Sequence, residues 1–129
     1  MSKAEYRIRC FFDFGGSYFW SGNDAARKRF GYPISPENLP LSAATIKQAN
    51  ELIDLFQTSL NWEYSSDPGP WRQDECDRFN AAARQLFETA SLELGDDFEL
   101  CSEQKNLAED PDLDEYLKGP KRFRRKASL

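Results

Sequence analysis

The sequence predicts an α+β fold in two layers, with a small antiparallel sheet packed by two long amphipathic helices. Three observations predict it. Polar and apolar residues alternate from Glu5 to Phe14, the period of a half-buried strand. Two stretches, about 43–60 and 71–94, repeat their apolar residues at spacings of three and four, which gives a helix one buried face. A second alternation near 98–103 supplies a third strand. With 129 residues the chain is sized for one domain, expected at 1–104. Residues 105–129 form an acidic-then-basic extension, expected to be flexible.

In the first strand, Tyr6, Ile8, Cys10, Phe12 and Phe14 share one face, and Arg7, Arg9, Phe11 and Asp13 share the other. Gly15-Gly16 then precedes Ser17-Tyr18-Phe19-Trp20. Two glycines between β-formers signal a hairpin with a two-residue turn, because primed turns need positive φ. That turn would set Phe12 against Phe19 and Phe11 against Trp20. Phe11, Tyr18 and Trp20 would then join Arg7 and Arg9 on the second face, open to solvent if the helices cover only the first.

Ser21-Gly22-Asn23-Asp24 is turn and cap chemistry. A short helix over Ala25 to Phe30 follows and ends at Gly31. Pro33, Pro36 and Pro40 make residues 32–41 an irregular connection. Ser42 caps the first long helix, whose stripe is Ile46, Ala49, Ile53, Phe56 and Leu60, widened by Leu52 and Leu55. The stretch from Asn61 to Trp71, with Trp62, Tyr64 and a Pro-Gly-Pro break, joins it to the second. There Asp74 and Glu75 suit the positive end of the helix dipole, Cys76, Phe79, Ala83, Leu86, Phe87, Ala90 and Leu94 form the stripe, and Gly95 ends it. Residues 112–117 could form one more helical turn. A third strand leaves a sheet edge open, a route to dimerisation or strand addition.

Charge is unevenly spread. Lys118, Lys121, Arg122, Arg124, Arg125 and Lys126 fall within the last twelve positions; taking these six positive charges from the net −5 leaves residues 1–117 at −11. Ten acids against Lys105 alone occupy residues 93–115. Such a field repels nucleic acid and attracts basic partners. The basic tail could contact phosphates or anionic lipid, fold back on the acidic segment, or stay solvated. Three cysteines without paired spacing, Cys10, Cys76 and Cys101, together with the absence of an apolar leader or a transmembrane-length run, lead us to expect reduced thiols in the cytoplasm.

Recognisable catalytic machinery is missing. The chain has no histidine, which removes the commonest general base and metal ligand. No phosphate-loop spacing is present. Asp74, Glu75 and Asp77 are explained as a helix start, and the Asp110–Glu115 run lacks the glycine and spaced glutamate of a calcium loop. No cofactor or metal is expected.

Binding is the better-supported class. Aromatic residues and arginine are enriched where interfaces hold most of their energy. The candidate interaction residues are Arg7, Arg9, Phe11, Tyr18 and Trp20 on the hairpin, Trp62 and Tyr64 beside Trp71, and Asp96 and Asp97 at the head of the acidic stretch. The alternative places these aromatics in the core. In size, acidity and lack of catalytic residues the chain is similar to small bacterial immunity proteins, a similarity of bulk properties that no motif carries. It implies an inhibitor of a basic protein such as a toxin or nuclease. The alternatives are a homodimer or larger scaffold built through the sheet, and an enzyme that works with carboxylates.

Overall fold

A computed structural model describes residues 4–125. Strand β1 (Tyr6–Cys10) is followed by β2 (Phe19–Ser21), helix α1 (Asp24–Phe30), the two-residue strand β3 (Pro33–Ile34), a 3-10 turn at Pro36–Asn38 and helix α2 (Ala43–Gln57). Helix α3 (Gln73–Leu94), strand β4 (Phe98–Ser102) and helix α4 (Leu113–Lys118) complete the chain. This is the α+β class that the periodicities predict. The sheet, however, is mixed rather than antiparallel. Its order is β3-β2-β1-β4, and β4 runs parallel to β1, with Tyr6 opposite Phe98 and Cys10 opposite Ser102. The long crossover from β2 through α2 and α3 brings β4 back in the direction of β1, as parallel pairs require.

The hairpin also differs from the expected one. Cys10 pairs with Phe19 and Arg9 with Trp20, two residues away from the predicted register. A shift of two leaves every strand residue on its predicted face, because the side-chain period is two. The turn is longer than two residues: Asp13 N–H donates to the Ser17 carbonyl at 3.3 Å and Phe11 N–H to that of Tyr18 at 3.0 Å. Between these contacts Phe12 is the extra residue of a bulge. Of the two glycines only Gly16, at φ 92°, occupies the left-handed region. β3, which the prolines concealed, pairs Ile34 with Phe19.

One apolar core lies on the inner face of the sheet. Tyr6, Ile8, Cys10, Phe12 and Phe19 meet Ala49, Leu52, Ile53 and Phe56 of α2 and Cys76, Phe79, Ala83, Leu86 and Ala90 of α3. Phe12 stacks near both helices, 5.7 Å from Phe56 and 5.1 Å from Phe79. Ser42 caps α2 by accepting from Thr45 N–H. Glu93 fixes this end to α3 by accepting from Ser42 N–H at 2.6 Å, which holds its carboxyl below the ordinary range. α2 stops at Gln57, three residues earlier than the stripe suggests, and Leu55 is exposed.

The connection to α3 is ordered by its own side chains. Asn61 accepts from Glu63 and Tyr64 N–H and donates to the Pro68 carbonyl. A Cβ on Gly69 would collide with the Ser59 carbonyl oxygen. After β4 the chain returns across α3, where the buried Asn80 exchanges two hydrogen bonds with the Leu107 backbone. Leu113, Tyr116 and Phe123 are buried apart from the main core, with the Tyr116 hydroxyl accepting from Asn61 at 3.1 Å, and Arg125 reaches Asp110 at 2.6 Å and Asp112 at 2.9 Å. The tail, as far as it is described, thus folds back on the acidic segment; Lys126 lies outside the described residues.

Candidate functional site

Helices α1, α2 and α3 all pack on the inner side of the sheet, so no helix among the described residues covers its outer face. β1 presents Arg7 and Arg9 there, continued by Phe11; β2 presents Trp20; β4 presents Glu99 and Cys101, continued by Glu103. Gly22 makes room for the arginines, since a Cβ there would come within 3.1 Å of Arg7 Cγ and 3.2 Å of Arg9 Cγ.

The parallel register creates the face's charge pattern. Arg9 grips Glu103 with two hydrogen bonds, Nε to Oε2 at 2.8 Å and Nη2 to Oε1 at 2.7 Å, the planar fork geometry that a lysine cannot copy. That bond raises the Arg9 pKa and lowers that of Glu103. Arg7 Nε lies 3.4 Å from Cys101 Sγ and 3.7 Å from Glu99. Beside the ions runs an aromatic row. Phe11 and Trp20 stack with centroids 4.9 Å apart and planes 4° from parallel. Tyr32 meets Trp20 edge-on at 5.4 Å, and the Arg9 guanidinium sits 5.3 Å over Phe11. The Trp20 indole N–H donates to the Phe11 carbonyl at 3.0 Å. The ring is therefore held in place before any partner arrives, which lowers the ordering cost of binding.

Sequence reasoning brings Arg7, Arg9, Phe11 and Trp20 together here, and the structure does the same. Tyr18 is a correction. It is 1% exposed, because it lies in the loop before β2, where strand alternation does not apply. Its ring turns inward onto Phe12 at 4.3 Å, and burial raises its pKa. Trp71 is also core, with its indole N–H donating to Thr58. Trp62 and Tyr64 are 62% and 64% exposed but form a separate surface, where Trp62 meets Phe14 edge-on at 6.1 Å. Asp96 and Asp97 occupy the 3-10 turn between α3 and β4; neither makes an ion pair among the described residues. Sequence reasoning missed Tyr32, Glu99, Cys101 and Glu103. Alternation with Phe98 and Leu100 already sets Glu99, Cys101 and Glu103 on one face. That this face meets Arg7 and Arg9 follows from the parallel pairing of β4 with β1, and Tyr32 joins it beside β3, neither of which periodicity reveals.

The two carboxylates of this face, Glu99 and Glu103, are paired with Arg7 and Arg9. Among the described residues no group of three Cys, Asp or Glu could hold a metal, and no helix is long and apolar enough to cross a membrane. A family model described as Serratia CdiI immunity protein-like matches residues 6–103, most of the chain. The chain belongs to that family. No curated protein matches it. The matched span begins at β1 and ends just past β4, at the acid that Arg9 grips. It thus contains the whole sheet and its outer face, while α4 and the tail follow it.

Proposed function

We propose that this member of an immunity protein family is a non-enzymatic inhibitor that captures a basic toxin, such as a nuclease, inside the bacterial cell that makes both. The observation that carries the reading is the bare outer face, where Trp20 and Phe11 are stacked and pinned beside the Arg7 and Arg9 ion pairs. Pinned aromatics suit slow release, and the excess of acid suits fast capture of a positive partner. Asp96 and Asp97, without an ion pair among the described residues and placed at one end of the sheet, add to that attraction. Trp62 and Tyr64 lie apart from this face and serve as a second contact only for a partner large enough to span both.

The test uses the full chain as bait for proteins of the source cell, with release at about 0.5 M salt, where screening reaches down to a few Å. The captured protein's toxic activity is then titrated with the chain. The expected result is stoichiometric inhibition, with Trp20→Ala weakening the complex by ~2 kcal/mol or more. A captured protein whose activity the chain leaves untouched, or a complex that Trp20→Ala does not weaken, would count against this reading. A homo-oligomeric scaffold would instead show as a multiple of the chain mass in solution.

A further inference from the structure

The two edges of the sheet are finished differently. β3 has two residues, and one is Pro33, which offers no N–H; short strands and prolines close an edge to new pairing. β4 has five residues and no proline or glycine. Glu103 N–H donates to the Cys10 carbonyl at 2.9 Å, and in a parallel ladder alternate residues face the same neighbour. Glu99, Cys101 and Glu103 therefore bond β1, while Phe98, Leu100 and Ser102 turn their backbone groups outward. The Phe98 N–H is taken by the Gly95 carbonyl. β4 pairs with β1 alone, and among the described residues no backbone bond outside the ladder reaches the N–H groups of Leu100 and Ser102 or the carbonyls of Phe98, Leu100 and Ser102. Beside this edge a cleft of about 230 Å³ opens between β4 and α3, lined by Ala83, Arg84, Phe87, Ser102 and Gln104.

The geometry points to strand addition at β4: an extended segment of the partner, alternating basic and apolar residues, pairs with Leu100 and Ser102. Side chains on one side of such a segment enter the cleft over Phe87 and Ala83, and those on the other lie along the outer face. Charge decides the occupant. Residues 96–104 contain Asp96, Asp97, Glu99 and Glu103 and no base. Arg7 and Arg9 take up the charge of Glu99 and Glu103, so Asp96 and Asp97, without an ion pair among the described residues, set the sign that an added strand meets. A second copy of the chain would place two such strands side by side, where like charges repel; a Lys- or Arg-bearing strand meets the opposite sign. The identity of the partner rests on the immunity reading above, whereas the open edge does not.

The experiment titrates the isotope-labelled full chain with a blocked Lys-Val-Lys-Val-Lys-Val peptide and follows each backbone amide by NMR hydrogen exchange. Exchange at Leu100 and Ser102 should slow about tenfold or more as their N–H groups become bonded. The matching Glu-Val peptide should not slow it. Ser102→Pro, which removes one outward N–H and none that bonds β1, should abolish the effect. No slowing at about 1 mM peptide, equal slowing by the acidic peptide, or an unchanged response in Ser102→Pro overturns the proposal. Partner capture separates it from the immunity reading. If Trp20→Ala loses the captured protein and Ser102→Pro keeps it, strand addition falls and the inhibitor stands. If the peptide protects the edge but no basic partner exists, the edge stands and the inhibitor falls.

Discussion

The same strands build two unlike surfaces. On the inner face, Tyr6, Ile8, Cys10, Phe12 and Phe19 are all buried against helices. On the outer face, one residue along in each case, Arg7, Arg9, Phe11 and Trp20 carry charge or half-exposed rings, and no helix covers them. Alternation allows this division, but it does not create the outer order. That order comes from sideways contacts within the face: the Arg9 fork on Glu103, the Phe11–Trp20 stack and the indole bond to the Phe11 carbonyl. The inner face is held by removing apolar area from water, and the outer by fixing polar and aromatic groups in a plane. The first supplies stability and the second suits recognition, so substitutions on the two faces should separate.

The largest separation is expected from Phe12→Ala. Phe12 meets Tyr18, Phe56 and Phe79, so truncation leaves a cavity between the sheet and both long helices. Losses of ~3–5 kcal/mol are typical of such changes, measurable as a lower urea midpoint. Trp20→Ala, in contrast, should cost the fold much less than it costs the complex. Equal losses of stability from the two substitutions would erase the distinction between the faces.

How much of this was legible in the sequence follows from what each signal encodes. Period two assigned Ile8 and Arg9 to opposite sides, and spacings of three and four placed Phe56, Phe79 and Leu86 in the core. Those patterns record burial, which the sequence must encode residue by residue. Strand direction is a property of the path of the chain, so the parallel β4 and the Arg9–Glu103 pair it produces could not be read from local pattern. β3 was hidden because Pro33 speaks against a strand and only two residues pair. Tyr18 misled because alternation was extended one residue beyond the regular strand. Asn80, a buried polar residue on α3, gave no sign that Leu107 would return to satisfy it.

Thiol chemistry offers a smaller but cleaner contrast. Cys10 points into the core, and burial raises its pKa far above the ordinary thiol value; Cys76 is also buried and raised. Cys101 lies on the outer face and is only half-buried. A thiol reagent should therefore modify Cys101 in the native protein, whereas Cys10 and Cys76 should react only on unfolding, since thiolate and access both govern the rate. Peptide mapping after a short exposure identifies the site. Early labelling of Cys10 would mean that the inner face opens readily.

The finest test is acid titration, because only one face has groups that respond. Hydrogen bonds to Arg9 lower the Glu103 pKa in the folded chain, and unfolding returns it to the ordinary value. The contribution is thus fully present above the ordinary carboxylate range, about pH 4, and is lost as pH falls through the depressed folded value, with protons taken up on unfolding. Glu93, held chiefly by Ser42 N–H, and Asp110, held chiefly by Arg125, act in the same direction. Glu103→Gln should therefore flatten part of the decline in stability between about pH 5 and 2. Phe12→Ala removes apolar contacts that no proton alters, so it should lower the curve at every pH and leave its slope unchanged. The measurement is the urea midpoint across that range for wild type and both variants. Parallel curves for wild type and Glu103→Gln would show that the Arg9 fork, exposed as it is, orders the outer face without stabilising the fold.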